Sequence, residues 1–530
     1  MSKKLIAGMI SLMVIVSSVT GCSSGGKGAS AVVEDQEANY NYTGTGPITD
    51  KENATLSIVA QNSYYTTVDF ESTPIVQKIA EDAGVNIDWN LISPTSYADA
   101  VSPMLAAGTD LADIVYLPDK DENMTFIKSG LFVPLDDYIE KYGVNIKKFF
   151  EENPEIKASL TADDGHIYYI PSTVVTENYQ PSLMINEKWL EKLGLEEPKT
   201  LDEFVEVLRA FRDNDMNGNG DTTDEIPMSI TAGFLPYVFG PAFGLDLVNG
   251  FYVDDNGAVQ YSYSQEAYKE YVTFLNELYE EGLLEIEFAS LTRDQIIERC
   301  ANDLTGATSD FSWQMSQSYS AQYPEYDGTA PIFKGIAPLS SDTHEGFYIG
   351  RDALSGCFGI SRDSKNPQLA LKFLDYAMRE AAQELYCWGI EGESYVVNAD
   401  GSKAYTEQAK DNNWLQQLGI NPGCLPSRQS VEATDVLLPK WHADVDKELQ
   451  QYMKAPWPFI YATEDEANIM SQYLVDITTF AEEKNMAFIT GASSIDEFDS
   501  YLKSLESMNL SEVLKIREAQ YSRYKAAING

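Results

Sequence analysis

Apolar runs typical of buried strands alternate with helix-like runs over residues 54–117. The strand-like runs are ATLSIVAQ (54–61), VNIDW (85–89) and DIVYL (113–117), and a stretch with helical periodicity separates each from the next. This rhythm predicts an α/β layer with a largely parallel sheet. Ligands of such sheets lie at the carboxyl ends of the strands. The residues predicted to face a cleft are therefore Asn62, Tyr64, Tyr65, Tyr116 and Asp119.

Length and charge limit the possible functions. A chain of 530 residues is too long for one core and implies two or more domains. The formal charge is -45, from 37 Lys and Arg against 82 Asp and Glu, which opposes binding to a phosphate backbone. Nucleic acid is therefore excluded as a partner. The three histidines are scattered, so neither a zinc site nor a histidine-based nucleophile is expected.

The first residues indicate export. Lys3 and Lys4 precede an apolar stretch over residues 5–19, and small residues follow before Cys22. This pattern is typical of a signal peptide over residues 1–21. It resembles the bacterial lipoprotein signal, which implies a lipid on Cys22 and a location on the outer face of the cell membrane; cleavage without lipid is the alternative. Residues 22–53 are rich in Ser, Gly, Asn and Thr and predict a flexible tether.

The four later cysteines have no CxxC spacing, so the sequence predicts no particular disulfide, and buried free thiols are the expected state. They are Cys300, Cys357, Cys387 and Cys424.

The segment DNDMNGNGDTTDEIP (213–227) concentrates oxygen donors at the spacing of a calcium loop. One register begins at Asp213 and places Gly218 sixth; another begins at Asp215, and the sequence leaves both open. A plain Asn/Asp/Gly turn is the alternative. Since Pro227 and a strand-like run follow, a static structural Ca²⁺ site is predicted rather than a sensor. The candidate ligands are Asp213, Asp215, Asn217, Asn219, Asp221, Asp224 and Glu225.

Several longer motifs occur in a familiar order from about residue 54 to the end. They include MLAAGTDLADIVYL, DGHIYYIPS, LMINEKWLEKLGLEEPKTLDEFVEVLRAF and FGISRDSKNPQLALKFLDYAM. Together they resemble the extracellular solute-binding proteins of ABC importers, family 1, in the oligosaccharide-binding branch. Ala112 stands where that family usually has proline. The acidic loop resembles the calcium loop of the alginate-binding type, with one extra residue between Asn219 and Asp224.

The resemblance implies an α/β, two-lobe periplasmic-binding-protein-like fold, with hinge crossings between lobes that close on a ligand. Lobe 1 is expected over residues 54–171 and about 336–385, and lobe 2 over residues 172–335 and about 386–530. The crossings are expected near residues 170–172, near residues 338–346 and after the helix at 367–379. A monomer is expected.

Sugar sites combine flat aromatic rings with fixed polar groups. Trp313, in TSDFSWQM, resembles the family's cleft-facing segment of the second lobe. Trp388 and Tyr395 flank the turn GIEGESY, although Trp388 is also compatible with simple packing. Arg351 is a candidate donor to hydroxyls or a carboxylate, and a surface salt bridge is its alternative.

The implied function is that of a lipid-anchored, non-enzymatic receptor. It would capture an oligosaccharide, neutral or weakly charged, and deliver it to the permease subunits of an ABC transporter. The alternative is a secreted glycoside hydrolase or another carbohydrate-active enzyme, which would need two carboxylates across a cleft. Neither an eightfold βα repeat nor a nucleophile motif is visible in the sequence. The sugar's identity is not predicted.

Overall fold

The computed structural model describes residues 40–62, 69–117, 123–173, 181–254, 256–323 and 325–529. Among these residues, a five-stranded and a four-stranded sheet each have their own hydrophobic core. Helices cover both sheets, which confirms the expected two-lobe α/β fold. Residues 1–39, including Cys22 and the predicted signal peptide, lie outside the described part.

The sheet of lobe 1 has the parallel start that the sequence predicts. Its order is Asn86–Ile92, Thr55–Gln61, Ile114–Leu117, Leu354–Ile360 and Tyr169–Thr173. The first three strands are parallel, whereas Leu354–Ile360 is antiparallel to both of its neighbours. The helices around this core are Pro74–Ala83, Tyr97–Ala107, Asn123–Lys128, Asp136–Tyr142, Val144–Glu152, Pro154–Leu160, Pro367–Ala377, Glu380–Trp388, Asn412–Leu418 and Val431–Asp435.

The sheet of lobe 2 has the order Phe333–Gly335, Pro181–Asn186, Thr305–Phe311 and Ile226–Met228. The helices of this half are Glu187–Leu193, Leu201–Arg212, Leu235–Val238, Glu266–Glu280, Arg293–Ala301, Lys440–Gln450, Glu464–Ile489, Phe498–Ser507 and Leu510–Asn529. Three two-stranded pairs complete the described strands: Phe251–Val253 with Val259–Tyr261, Tyr348–Ile349 with Met453–Lys454, and Tyr395–Val397 with Lys403–Tyr405.

The helix Leu201–Arg212 shows how local sequence determines an element. Thr200 and Glu203 form a capping box that satisfies backbone N–H groups at its start. Phe204, Leu208 and Phe211 repeat at helical spacing and are buried, each worth about 1.5–3 kcal/mol of apolar burial. The helix ends where the acidic loop begins, so its burial fixes one end of that loop.

The boundaries of the lobes differ from the prediction along two segments. Residues 386–433 were expected in lobe 2, but Tyr386, Leu415 and Ala433 belong to the core of lobe 1. The expected crossing after residue 379 is therefore wrong, because the helix Glu380–Trp388 continues on that core. Conversely, Leu339 packs in the core of lobe 2, so the crossing expected near residues 338–346 comes later, between Ile349 and Leu354. Packing partners far apart in sequence decide these boundaries.

The end of the predicted tether is also structured. Ile48 is fully buried in the core of lobe 1, and the Tyr42 hydroxyl donates to the carboxylate of Asp375 over 2.8 Å. That buried carboxylate also accepts bonds from the backbone N–H groups of Asn145 and Ile146, both at 2.8 Å. Residues 40–53 are therefore a strap on lobe 1, which corrects the tether boundary of residue 53.

All four cysteines of the folded body are buried thiols outside any disulfide, as expected. No helix within the described ranges has both the length and the apolar character that a membrane span requires.

Candidate ligand-binding cleft and acidic loop

Strand pairing locates the boundary between the lobes. Thr173 ends the last strand of lobe 1 before the chain enters lobe 2 at Pro181, and Pro181 pairs with Phe311. The chain returns between Ile349 and Leu354, and Leu354 pairs with Thr173. Phe311 and the residues that follow it therefore lie next to the crossings, where a cleft between the lobes opens.

Four half-buried aromatic residues meet at this boundary, and we call them the cleft aromatic cluster: Phe234, Tyr237, Phe311 and Trp313. The Phe311 and Trp313 rings stack with centroids 4.7 Å apart and planes 4° apart. The Phe234 ring meets Phe311 edge-on, with a centroid distance of 5.7 Å. Stacked and partly exposed rings offer the flat apolar faces that sugar rings pack against.

Trp313 is the one residue of this cluster that the sequence predicts. Its neighbour Phe311 is two positions earlier, and the spacing of two at a strand end was an available signal. Phe234 and Tyr237 come from another segment, and only tertiary packing brings them to Phe311.

Two buried polar contacts support the turn that carries Trp313. The Ser316 hydroxyl lies 2.5 Å from Nδ1 of His442, and the Ser312 hydroxyl bonds the carboxyl group of Asp446. His442 and Asp446 are one turn apart on the helix Lys440–Gln450 and are almost completely buried. The helix thus holds both sides of the Trp313 turn.

Burial keeps both of these groups uncharged near neutral pH. It lowers the pKa of His442 to about 4. Burial, with repulsion from Asp435, raises the pKa of Asp446 to about 8. Ser316, His442 and Asp446 are the residue types of a hydrolytic triad, but the 3.5 Å separation of His442 Nε2 from Asp446 Oδ2 is long and all three side chains are buried away from any substrate.

Arg351 lies on the crossing between Ile349 and Leu354 and is exposed. Burial and the Asp246 carboxylate raise the pKa of Tyr237, while the positive charge of Arg351 lowers it. Arg351 is therefore within electrostatic reach of the cleft aromatic cluster. Its role as a donor to a ligand stays a prediction.

Two residues predicted from strand ends have structural roles instead. The Asn62 side chain donates to Asp69 over 2.6 Å and accepts from the N–H of Phe70 over 3.0 Å, so it closes its own loop. Tyr116 is buried against Phe358 and donates to the carbonyl of Ser355. This burial corrects the prediction that Tyr116 faces the cleft. Tyr64, Tyr65 and Asp119 lie outside the described residues.

Trp388 and Tyr395 are also buried, and they pack together in lobe 1 with ring centroids 5.7 Å apart. The Tyr395 hydroxyl donates to Glu384, whose carboxylate also pairs with Lys403 over 2.7 Å. Both rings thus stabilise the segment that follows the helix Glu380–Trp388. Their prediction as ligand-binding residues is corrected, because exposed ring faces are what stacking needs.

The acidic loop connects Leu201–Arg212 to the strand Ile226–Met228 and is held by its own side chains. The carboxylate of Asp215 accepts from the N–H groups of Gly218 and Gly220, at 2.6 and 2.9 Å. Asp224 accepts from the Asn219 amide over 2.7 Å. Gly218 and Gly220 have φ of 80° and 90°, conformations that glycine adopts without strain.

Two oxygens of this loop lack the partners that buried carboxylates normally have. Asp224 Oδ1 and Glu225 Oε2 are buried without a hydrogen bond. Among the described residues no group of three His, Cys, Asp or Glu side chains forms a ready metal cluster, so asparagine oxygens would have to complete one. Asp213 pairs with Arg212 at 2.8 Å, which lowers the pKa of Asp213 and favours the register that begins at Asp215.

The loop is distant from the cleft. Ile226, which follows Glu225, is in register with Thr305 at one end of the strand Thr305–Phe311, and Phe311 is at the other. A seven-residue strand spans about 20 Å at about 3.3 Å per residue. The loop therefore does not touch the cleft aromatic cluster.

Comparison with known proteins decides the family. Residues 69–384, more than half of the chain, match the family described as bacterial extracellular solute-binding protein. The chain belongs to this family. Its members bind solutes and are not enzymes, which agrees with the predicted non-enzymatic role.

The chain is similar along its length to oligosaccharide-binding relatives. It is 29% identical to the fructooligosaccharide ABC transporter substrate-binding protein FusA of Streptococcus pneumoniae, over 93% of this chain and 94% of FusA. The structure of FusA in complex with kestose superposes on this chain with a TM-score of 0.70, and the two are 25% identical over 89% of this chain and 99% of FusA. An EF-hand mutant of FusA has also been solved in complex with fructo-nystose. Lipoprotein LipO of Bacillus subtilis is 27% identical over 65% of this chain and 68% of LipO.

The alginate-binding protein AlgQ2, solved without calcium ion, shares the fold with a TM-score of 0.69 and 23% identity, over 90% of this chain and 99% of AlgQ2.

Proposed function

We propose that this protein captures a neutral or weakly charged oligosaccharide between its lobes and delivers it to the permease subunits of an ABC importer. The cleft aromatic cluster at the lobe crossings is the observation that carries the proposal. Stacked rings bind the apolar faces of sugars, while Arg351 on the adjacent crossing supplies donors to hydroxyl groups. The similarity to FusA places fructooligosaccharides first among the sugars to test.

Charge supports a neutral ligand over a polyanion. The formal charge of -45 disfavours an anionic ligand at long range. Salt screens such repulsion beyond about 8 Å, so the groups near the site matter more. Arg351 and Asp246 are both within reach of Tyr237 and have opposite charges. This mixed local charge does not select an anion.

A thermal-shift screen of neutral and uronate oligosaccharides, headed by kestose, would identify the ligand, because a ligand that binds only the folded state raises the Tm. Calorimetry with that sugar then tests the site. We expect Trp313→Ala to cost about 1–3 kcal/mol of binding, as for a central aromatic anchor. Trp89→Ala, which removes a half-buried tryptophan on the edge strand of lobe 1, is the matched control and should leave affinity unchanged.

Equal affinities of Trp313→Ala and wild type would refute the role of the cluster. Tighter binding of uronates than of neutral sugars at low salt would refute the ligand class. Appearance of cleavage products after prolonged incubation would instead favour the carbohydrate-active enzyme.

We further propose that the acidic loop binds a structural Ca²⁺ ion. Asp215, Asn217, Asn219, Asp224 and Glu225 would hold it, since calcium takes six to eight oxygen ligands and two buried carboxylate oxygens have no other partner. When bound, the ion neutralises these carboxylates and fixes the loop. The EF-hand of FusA supports the assignment.

Anchoring completes the proposal. Cys22 within VTGC would carry the lipid, and residues 23–39 would connect it to the strap. The relative named lipoprotein LipO supports this assignment. The protein would then act as a monomer at the outer face of the membrane, next to its permease.

A further inference from the structure

A cavity of about 470 Å³ lies against lobe 2 beside the crossings to lobe 1, and none of the cleft aromatic cluster lines it. We call it the auxiliary cavity. Its volume is within the usual range for small-molecule sites, about 300–1,000 Å³. Its walls come from residues 244–254, 344–349 and 454–458 and from the C-terminal helix Leu510–Asn529.

Aromatic rings dominate its apolar surface. Trp457 and Tyr521 pack with centroids 5.6 Å apart, and Tyr524 stacks next to Tyr521 at 6.3 Å. Tyr252 and Phe347 line other parts of the wall. All five side chains are half-buried, so each has a face open to the cavity or its mouth. Such a concentration of rings in a concave site suits a ligand with flat apolar faces.

The polar groups select among such ligands. Asp246, Asp254 and Glu345 outnumber Lys454 in the lining, so an anion would be repelled. A cation would compete with the Lys454 ammonium, which already lies 4.2 Å from the centroid of the Phe347 ring. The ligand that remains is neutral, with ring faces for the aromatics and hydroxyl groups that donate to carboxylates. A saccharide has this chemistry.

We propose that the auxiliary cavity is a second binding site, for a neutral saccharide of one to three rings. The site goes beyond the cleft proposed above and does not depend on which sugar the cleft takes. Carboxylate oxygens of Asp246 and Asp254 accept further hydrogen bonds from hydroxyls in addition to those they accept from Asn249 and Gln260.

Fluorine NMR of the full chain labelled with 5-fluorotryptophan tests the proposal, because the seven tryptophans include one reporter in each site: Trp313 in the cleft and Trp457 in the auxiliary cavity. Trp→Phe variants assign the two signals. Glucose, maltotriose, kestose and trigalacturonate are the probes, each titrated to tens of millimolar. We expect the Trp457 signal to shift saturably with at least one neutral probe and not with trigalacturonate.

Three variants separate the sites. Trp313→Ala should leave the Trp457 response intact. Ala455→Tyr, at an exposed lining position, should fill the cavity and abolish that response, while Ala527→Tyr on the exposed end of the C-terminal helix should not. A Trp457 signal that no neutral probe shifts overturns this inference, whether or not the Trp313 signal responds. A Trp457 response that Trp313→Ala abolishes also overturns it, since the shift would then report on the cleft. Failure of the cleft proposal is recognised separately, by a Trp313 signal that no sugar in the thermal-shift panel moves.

Discussion

Asp446→Asn should stabilise the protein at neutral pH, although it removes a buried side chain with a hydrogen bond. The folded carboxyl group keeps its proton up to a pKa of about 8 and bonds Ser312. An unfolded aspartate releases its proton near pH 3.9. Between these values the unfolded state has lost a proton that the folded state retains, so the free energy of unfolding falls as pH rises. The amide can keep the hydrogen bond without this loss.

The pKa values give the size of the effect. The stability contributed by the protonated carboxyl is complete below about pH 4 and falls by about 1.36 kcal/mol per pH unit up to about pH 8. At pH 7 the loss is about 4 kcal/mol at most. We therefore expect Asp446→Asn to be about 2–4 kcal/mol more stable than wild type at pH 7.5 and nearly equal to it at pH 4.5.

Chemical denaturation followed by tryptophan fluorescence, at steps between pH 4.5 and 8, measures this difference. Asp444→Asn is the matched control, because Asp444 is on the same helix, exposed and paired with Lys440. The control should track wild type within about 0.5 kcal/mol at every pH, as surface changes do. A difference between Asp446→Asn and wild type that does not change with pH would refute the reasoning.

Three further outcomes follow from other features. Millimolar Ca²⁺ should raise the Tm, adding on the order of 1 kcal/mol for a site with a Kd of about 0.1–1 mM. Scanning calorimetry of Asp224→Asn should show no such gain, and a gain equal to that of wild type would exclude the site. Asp375→Ala leaves the Tyr42 hydroxyl and two N–H groups without their acceptor. The free energy of unfolding, measured by chemical denaturation, should therefore fall by about 2–4 kcal/mol. The exposed control Asp82→Ala should lower it by under about 1 kcal/mol. Cys22→Ser should move the protein from the membrane fraction to the medium, as fractionation and blotting would show, and identical partitioning of variant and wild type would contradict lipid attachment.

The sequence predicts those features that depend on local pattern. The alternation of strands and helices over residues 54–117 and the strand that follows Glu225 are both encoded in short stretches of sequence, and the structure has them. Burial is different, because it depends on partners far along the chain. Tyr116 is buried by Phe358, 242 positions later, and no local signal separates it from an exposed tyrosine.

Composition also gives the wrong prediction for the strap, residues 40–53. Residues 40–53 have the polar, glycine-rich character of a linker, yet Ile48 is buried and Tyr42 reaches Asp375. A segment of low mean hydropathy can therefore be ordered when a few of its side chains meet prepared partners in a distant helix.

The two-stranded pair of Tyr348–Ile349 with Met453–Lys454 has a mechanical consequence. The first strand leads to Leu354 and the second leads to Tyr461, and both of these residues lie in the core of lobe 1. The Gly350 N–H donates to the Lys454 carbonyl over 2.7 Å. A side chain at Gly350 would place its Cβ 2.8 Å from that oxygen, so the two backbones run in direct contact. Sliding one along the other would break these hydrogen bonds, whereas twisting the pair as a ribbon would keep them. We therefore expect the lobes to rotate relative to each other about an axis that runs along this two-stranded ribbon.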